Sequence, residues 1–357
     1  MRPAVRVLAG ALAGALIAGG LRAEPSYGFL SAAAAGSGFP ESFAAAMAPA
    51  KAAAIPFEPF SLVALPDASA APAVKKPKWI PIAGLSLLAI GGSYYNARSD
   101  GPQYPWHFTR EGWFGQNTYA GGGDKASHFV SYYIVGKLMS GVYQELGMQK
   151  DPADLLGGGI SALAGLATEI GDGTNKYGFS WEDITMDWLG AATSIAISHY
   201  GLDDLIGFRA GRVPSPTAPC CPYGGTGKDY SEEIYTGDLK IAGLADRARF
   251  SAGPGRFFLF SISYSAKGYP YANPAVRERQ IGFEAGINFQ EVLKALHVPP
   301  DKWWSKILYF AFDVLRFPYT QVGMYYDLNN GHWYGPGIGD QWPGYDTPGT
   351  QPSRHRR

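Results

Sequence analysis

Cysteine is almost absent from this 357-residue chain: only Cys220 and Cys221 occur, side by side in a Pro/Gly-rich stretch. Two adjacent thiols give neither a disulfide framework nor zinc-ligand spacing, and with no cysteine near the N-terminus the sequence predicts no thioether lipid anchor there. Net charge is missing too. The 30 basic residues balance the 30 acidic ones, so no overall field favours nucleic acid or anionic lipid. Charged residues make up 17% of the chain, against about 25% in ordinary soluble domains. The chain also lacks a Walker glycine loop, a His-Glu-x-x-His helix, a Gly-x-Ser-x-Gly elbow and a Cys/His nucleophile pair. These absences remove the usual signatures of nucleotide-driven, zinc-protease and serine or cysteine hydrolase chemistry. No nucleic acid, nucleotide or cofactor is expected.

Glycine and aromatic residues are plentiful instead, with 47 Gly, 22 Tyr, 19 Phe and 9 Trp, a bias that favours contact with a membrane. Arg2 and Arg6 precede an apolar run over residues 7–21, and Ala23 stands at a small-residue cleavage position. Residues 1–23 therefore have the form of a signal peptide, and the chain is expected to be exported to the bacterial cell envelope. Residues 24–78, rich in Ala, Pro and Ser, form a disordered spacer in this reading. A helical region over 79–210, a Pro/Gly linker over 211–228, a β-rich region over 229–340 and a disordered tail over 341–357 complete the expected organisation.

Within the helical region four apolar segments, 79–95, 128–146, 154–170 and 183–200, lie near the lower length limit for crossing a bilayer. Gly157, Ser161 and Gly165 recur at the four-residue spacing that lets helix backbones approach closely in lipid, and Trp79, Tyr94, Tyr95, Trp188 and Tyr200 stand at or near segment ends like interfacial anchors. Opposing this, His128, Glu169 and Asp187 sit in or beside the apolar runs, where each needs a partner. The expectation is a bundle of about four Gly/Ala-rich, membrane-type helices, with a compact periplasmic bundle as the rival.

After the linker the period changes to two. Ile281, Phe283, Ala285, Ile287 and Phe289 alternate with polar or small residues, as do Phe258, Phe260, Ile262 and Tyr264, and Val322, Met324, Tyr326 and Leu328. Leu239 and Ile241 suggest a fourth, weaker strand. About four strands fall short of the eight or more of a single-chain membrane barrel, so a small antiparallel sheet is predicted. Residues 301–317, following Pro299 and Pro300, predict an aromatic helix that covers one sheet face or lies in the membrane interface. The fold class is α+β.

The densest polar constellation lies in the helical region. Asp124 and His128, four residues apart, share a helix face. Asp124 equally suits an N-cap. Glu169 and Asp172 end the third segment, Ser180 and Asp183 match a capping box, and Asp187 falls one turn further inside its helix, where a carboxylate needs a partner. His107, His199, His297 and His332 stand apart in packing or surface positions.

The order Asp-Lys-x-x-His-Phe from Asp124 to Phe129, then Glu169 and Asp172, then Gly178 to Asp183 with Asp187 and Gly190, resembles the YfiM-like family of uncharacterised predicted periplasmic lipoproteins and, more distantly, the VanZ-like membrane proteins. The resemblance covers residues 113–200. It implies a place in the envelope and no particular reaction. Two functional readings follow. In one, Asp124, His128, Glu169, Asp172, Asp183 and Asp187 form a satisfied polar network in a non-enzymatic envelope component that contacts membrane lipid or envelope proteins. In the other they are an acid/base or metal site acting on an envelope lipid or glycan. Convergence on an open pocket favours the second, mutual pairing in a closed core the first.

Overall fold

The structure, a computed structural model, describes residues 76–212, 230–231, 233–269 and 277–338. The expected signal peptide, nearly all of the spacer, Cys220 and Cys221, most of the linker and the C-terminal tail lie outside the described residues.

Among the described residues four long helices come first: α1 (Trp79–Arg98), α2 (Gly123–Glu145), α3 (Lys150–Asp172) and α4 (Trp181–His199). Helices α2, α3 and α4 pack on one another, and α1 packs along α3. Small residues set how closely they meet. A Cβ on Gly157 would stand 2.5 Å from the backbone N of Ser140, and one on Gly165 2.6 Å from Cβ of Asp187. Between them Ser161 donates its hydroxyl to the carbonyl of Tyr132 at 2.6 Å. The four-residue spacing of small side chains is thus a close-packing device. Helix α4 starts on Ser180, whose hydroxyl accepts the amide of Asp183, and α2 starts after the left-handed Gly122 (φ 90°).

Among the described residues no helix is long and apolar enough to cross a membrane, which corrects the expectation of membrane-type helices. In α2, α3 and α4 the reason lies in the inward faces, which carry Asp124, Lys125, Glu169, Asp183 and Asp187, all buried. Among the described residues the helices also exceed the expected number. Three shorter ones follow the bundle, α5 (Ile241–Ala248), α6 (Phe289–Ala295) and α7 (Trp303–Val314). The last is the expected aromatic helix, shortened because Leu315 and Arg316 turn into a strand.

A two-residue parallel pair, β1 (Phe108–Thr109) with β2 (Phe179–Ser180), leads into α4. Among the described residues the main sheet has seven strands where about four were expected: β3 (Ile206–Arg212), β4 (Glu233–Lys240), β5 (Phe258–Lys267), β6 (Glu278–Ile287), β7 (Leu315–Arg316), β8 (Gln321–Asp327) and β9 (His332–Ile338), in the order β7-β3-β4-β5-β6-β8-β9. All neighbours are antiparallel except β3 and β7. Leu239 lies in β4, but Ile241 opens α5 and not a strand.

The sheet buries its polar side. Along β5, Ser261, Ser263 and Ser265 are buried while Phe258, Phe260 and Ile262 are exposed. On β6, Gln280 and Glu284 are buried and Phe283 and Ile287 exposed, and on β8 Gln321 and Asp327 are buried while Val322 and Met324 are exposed. Register extends the pattern across the sheet, since Phe260 faces Leu239 and Ala285, and Phe283 faces Ile262 and Met324. The polar side closes on itself. Arg316 on β7 pairs with Glu284 on β6 at 3.2 Å, both side chains fully buried. Four strand spacings separate β7 from β6 in the sheet order; a flat sheet would hold them about 19 Å apart, so the sheet is strongly curled with its polar face inward. Ser and Gly on that face make the curl sterically feasible, as where Gly282 meets Ser263 and Tyr325. Arg209 and Asp238 add a bidentate pair inside.

Helix α2 covers one end of the apolar face, where Ala126, Phe129, Val130 and Ile134 pack on Phe208, Ala210, Tyr235 and Tyr264. An ionic junction lies beside it: Asp313 of α7 accepts from Lys240 at 2.6 Å and from Lys137 of α2, which also reaches Asp203 at 2.8 Å.

Candidate functional site

The bundle helices bring most of the expected polar residues to one buried cluster. Lys125 is its first centre. Its ammonium donates to Glu111 at 2.6 Å, to Asp124 at 2.9 Å and to Asp183. Helix α2 supplies Asp124 from its first turn, and because the N-cap is Gly122, the Asp124 carboxylate does not cap the helix. It accepts a hydrogen bond from the Tyr230 hydroxyl and faces His128. Asp183 likewise lends only its amide to the Ser180 cap, while its carboxylate goes to Lys125. The expectation that Asp183 serves mainly as a cap is therefore corrected.

His128 is the second centre. Its Nδ1 lies 2.7 Å from Asp187 Oδ1, and its Nε2 lies 3.6 Å from Asp124 and 4.0 Å from Asp183. Glu169 approaches from α3, one of its oxygens accepting the Ser180 amide at 2.9 Å. Asp172 does not join the cluster centre: it accepts from Asn175 at 2.6 Å and secures the turn after α3. Two carboxylate oxygens, Oε1 of Glu169 and Oδ2 of Asp187, are buried without a hydrogen-bond partner.

Electrostatics divide the cluster. Burial works against charge on Asp124, yet His128 and Lys125 outweigh it and hold the carboxyl well below its usual range. Burial also opposes charge on His128, and Asp183, Asp187 and Asp124 overcome it to raise the imidazole well above its ordinary value. Glu111 goes the other way, pushed up to about 10 by burial and by Asp183 and Asp124. Burial raises Glu169 to about 9, and Asp172 and Asp187 to about 6.

Glu111, Lys125 and Tyr230 escaped the sequence reading as members of the cluster. Glu111 sits in an irregular segment and Tyr230 beyond the linker, with no spacing to connect either to the helices. Lys125 did have a signal, because a lysine between Asp124 and the apolar face of α2 must be neutralised if buried. Among the described residues the groups that lie close enough to share an ion are Asp124, His128 and Asp183, and His128, Glu169 and Asp187. The cluster is closed, with the His128 side chain 16% exposed and those of Asp124, Asp183 and Asp187 at 6% or less. A cavity of about 220 Å³ lies elsewhere, lined by Lys137, Ser140, Lys150, Asp154 and Asp203 among others.

Residues 110–199 match the family described as predicted periplasmic lipoprotein (DUF2279). The matched span holds all of this cluster except Tyr230, and the periplasmic description agrees with export of the chain to the bacterial cell envelope. No curated protein and no solved structure matches the chain.

Proposed function

We propose that the protein is a non-enzymatic, membrane-associated component of the cell envelope, in which the outward apolar face of the curled sheet contacts lipid and the helical bundle is a scaffold fixed by its polar core. The polarity of the sheet carries this reading. A sheet that buries serines, glutamate and arginine while exposing Phe258, Phe260, Ile262, Phe283, Val322 and Met324 has its apolar side arranged for a non-aqueous neighbour. Trp333, 56% exposed on the same face beside Tyr326, adds the aromatic character typical of membrane boundaries. Apolar side chains on the outside of the bundle, among them Leu87, Leu88, Leu163 and Leu189, extend the same character.

Mutual pairing within a closed core supports a structural role for the cluster over a catalytic one, because a substrate needs an approach that these buried side chains do not offer. The YfiM-like and more distant VanZ-like resemblance of the bundle belongs to this proposal, as does attachment through the apolar face of the sheet. The test is extraction of envelope membranes with high salt and then with carbonate. Apolar attachment predicts retention in the pellet after both treatments and release by detergent. Quantitative release of monodisperse protein without detergent would contradict it.

A further inference from the structure

Helices α2, α3 and α4 each contribute one side chain to a small cage: His128, Glu169 and Asp187. One ligand atom from each lies within 4.8 Å of the other two. Acidic clusters are common, and proximity alone means little. What distinguishes this one is its unsatisfied valence. Glu169 is 1% exposed and Asp187 0%, yet Glu169 Oε1 and Asp187 Oδ2 have no hydrogen-bond donor, although a buried carboxylate oxygen without a partner is costly.

The neighbouring half of the cluster shows how such charge is normally handled. Glu111, Asp124 and Asp183 share the ammonium of Lys125. That ammonium already occupies the position a cation would take among Asp124 and Asp183, so the first ion-sized group is filled by the protein itself. On the other side, Glu169 and Asp187 have only His128 between them. Five carboxyl groups thus surround one ammonium and one imidazole, and the two oxygens left without a donor both lie on the His128 side, away from Lys125.

We infer that His128, Glu169 and Asp187 bind a divalent transition-metal ion, such as Zn²⁺ or Mn²⁺, that ties α2, α3 and α4 together. One imidazole nitrogen and two carboxylates suit such ions. The ion takes the place of the proton between His128 Nδ1 and Asp187. The other ring nitrogen, Nε2, then keeps its N–H directed at Asp124, 3.6 Å away, the carboxylate–histidine–metal arrangement that orients ligating imidazoles. Glu169 is oriented in turn by the Ser180 amide on its other oxygen. With little solvent access to the cage, the ion is a structural cross-link. This assignment does not depend on lipid contact by the sheet.

The test uses the full-length protein in detergent, stripped with a chelator and reloaded with Zn²⁺ alone, with bound metal measured by elemental analysis and stability by thermal melting. Binding of one equivalent is expected, with an increase in melting temperature that chelator reverses. Glu169→Gln and Asp187→Asn should each abolish both the stoichiometric metal and the metal-dependent shift, while Asp172→Asn keeps them. If the ligand variants fail to fold, Co²⁺ absorption of the wild-type protein decides: bands of a nitrogen/oxygen site support the assignment, and sulfur-to-metal charge transfer from Cys220 or Cys221 contradicts it. No bound metal in the wild type, or full binding retained by both ligand variants, would also overturn it.

Discussion

His128 and Asp187 are bonded to each other inside the bundle, so removing one strands the other. His128→Ala and Asp187→Ala should each cost about 3–5 kcal/mol, the range for breaking a buried charged pair. Asp187→Asn should cost less because it keeps a hydrogen-bonding oxygen. Asp183→Ala should resemble the severe pair, since it deprives Lys125 of a carboxylate; as a cap alone it would cost only about 1 kcal/mol. Denaturant melts of the four variants rank them, and an Asp183→Ala protein of near wild-type stability would contradict the role of Lys125. Asp313 provides a pH signature. Burial opposes its charge, but Lys137 and Lys240 outweigh burial and lower its carboxyl from 3.8 to about 2. A depressed carboxylate contributes stability above its unfolded value and loses it as pH falls through the folded value, so about 2 kcal/mol should disappear between about pH 4 and pH 2. In Asp313→Asn that component should be absent, and an unchanged acid limb in the variant would show that the junction carries no such linkage. At this scale the sequence exposed Asp187, because a carboxylate in a helix interior demands a partner. It did not expose Glu111 or Tyr230, whose contacts depend on chain reversals that leave no local pattern.

Close approach governs the helices. A Cβ at Gly190 would lie 2.1 Å from the carbonyl oxygen of Phe129, a backbone atom that cannot swing aside, whereas Gly159 has nothing within 4 Å. Gly190→Ala should therefore destabilise by about 1–3 kcal/mol through overpacking, and Gly159→Ala should stabilise by up to about 1 kcal/mol through helix propensity. Thermal melts check both, and equal effects would mean that α2 and α4 are not in contact as described. The glycine and serine spacing of α3 was visible in the sequence, but close packing serves a helix against a polar core as well as one in lipid. Period-two alternation located β5, β6 and β8 to within a few residues, since alternation follows from the pleat. It could not say which side faces inward, and an alternating strand has the same pattern either way. The short helices α5 and α6, eight and seven residues long, are too brief to establish a period of 3.6.

For the whole molecule, the two regions share one principle: polar groups pair inside, in the bundle around Lys125 and His128 and in the sheet around Arg316 and Glu284, while many large apolar side chains lie outside, beyond the small apolar core around Ile82, Tyr143 and Ile160. In water such a surface promotes association; against lipid it is the stable arrangement. The composition suggested membrane contact through the helices; among the described residues none of these is long and apolar enough to cross a bilayer, and the proposed contact surface is the sheet. On the proposed reading the sheet's apolar side is the one that touches lipid. The most direct measurement places a fluorophore on single cysteines in a background free of Cys220 and Cys221, at Ile262, Phe283, Ala285 and Met324 on the outer side and at Ser263, Gly282 and Glu284 on the inner side, in correctly folded protein reconstituted into vesicles containing brominated lipids. Quenching should alternate with period two along β5 and β6, strong at 262, 283 and 285 and weak at 263, 282 and 284; uniform weak quenching, or quenching strongest on the serine and glutamate side, would contradict the account.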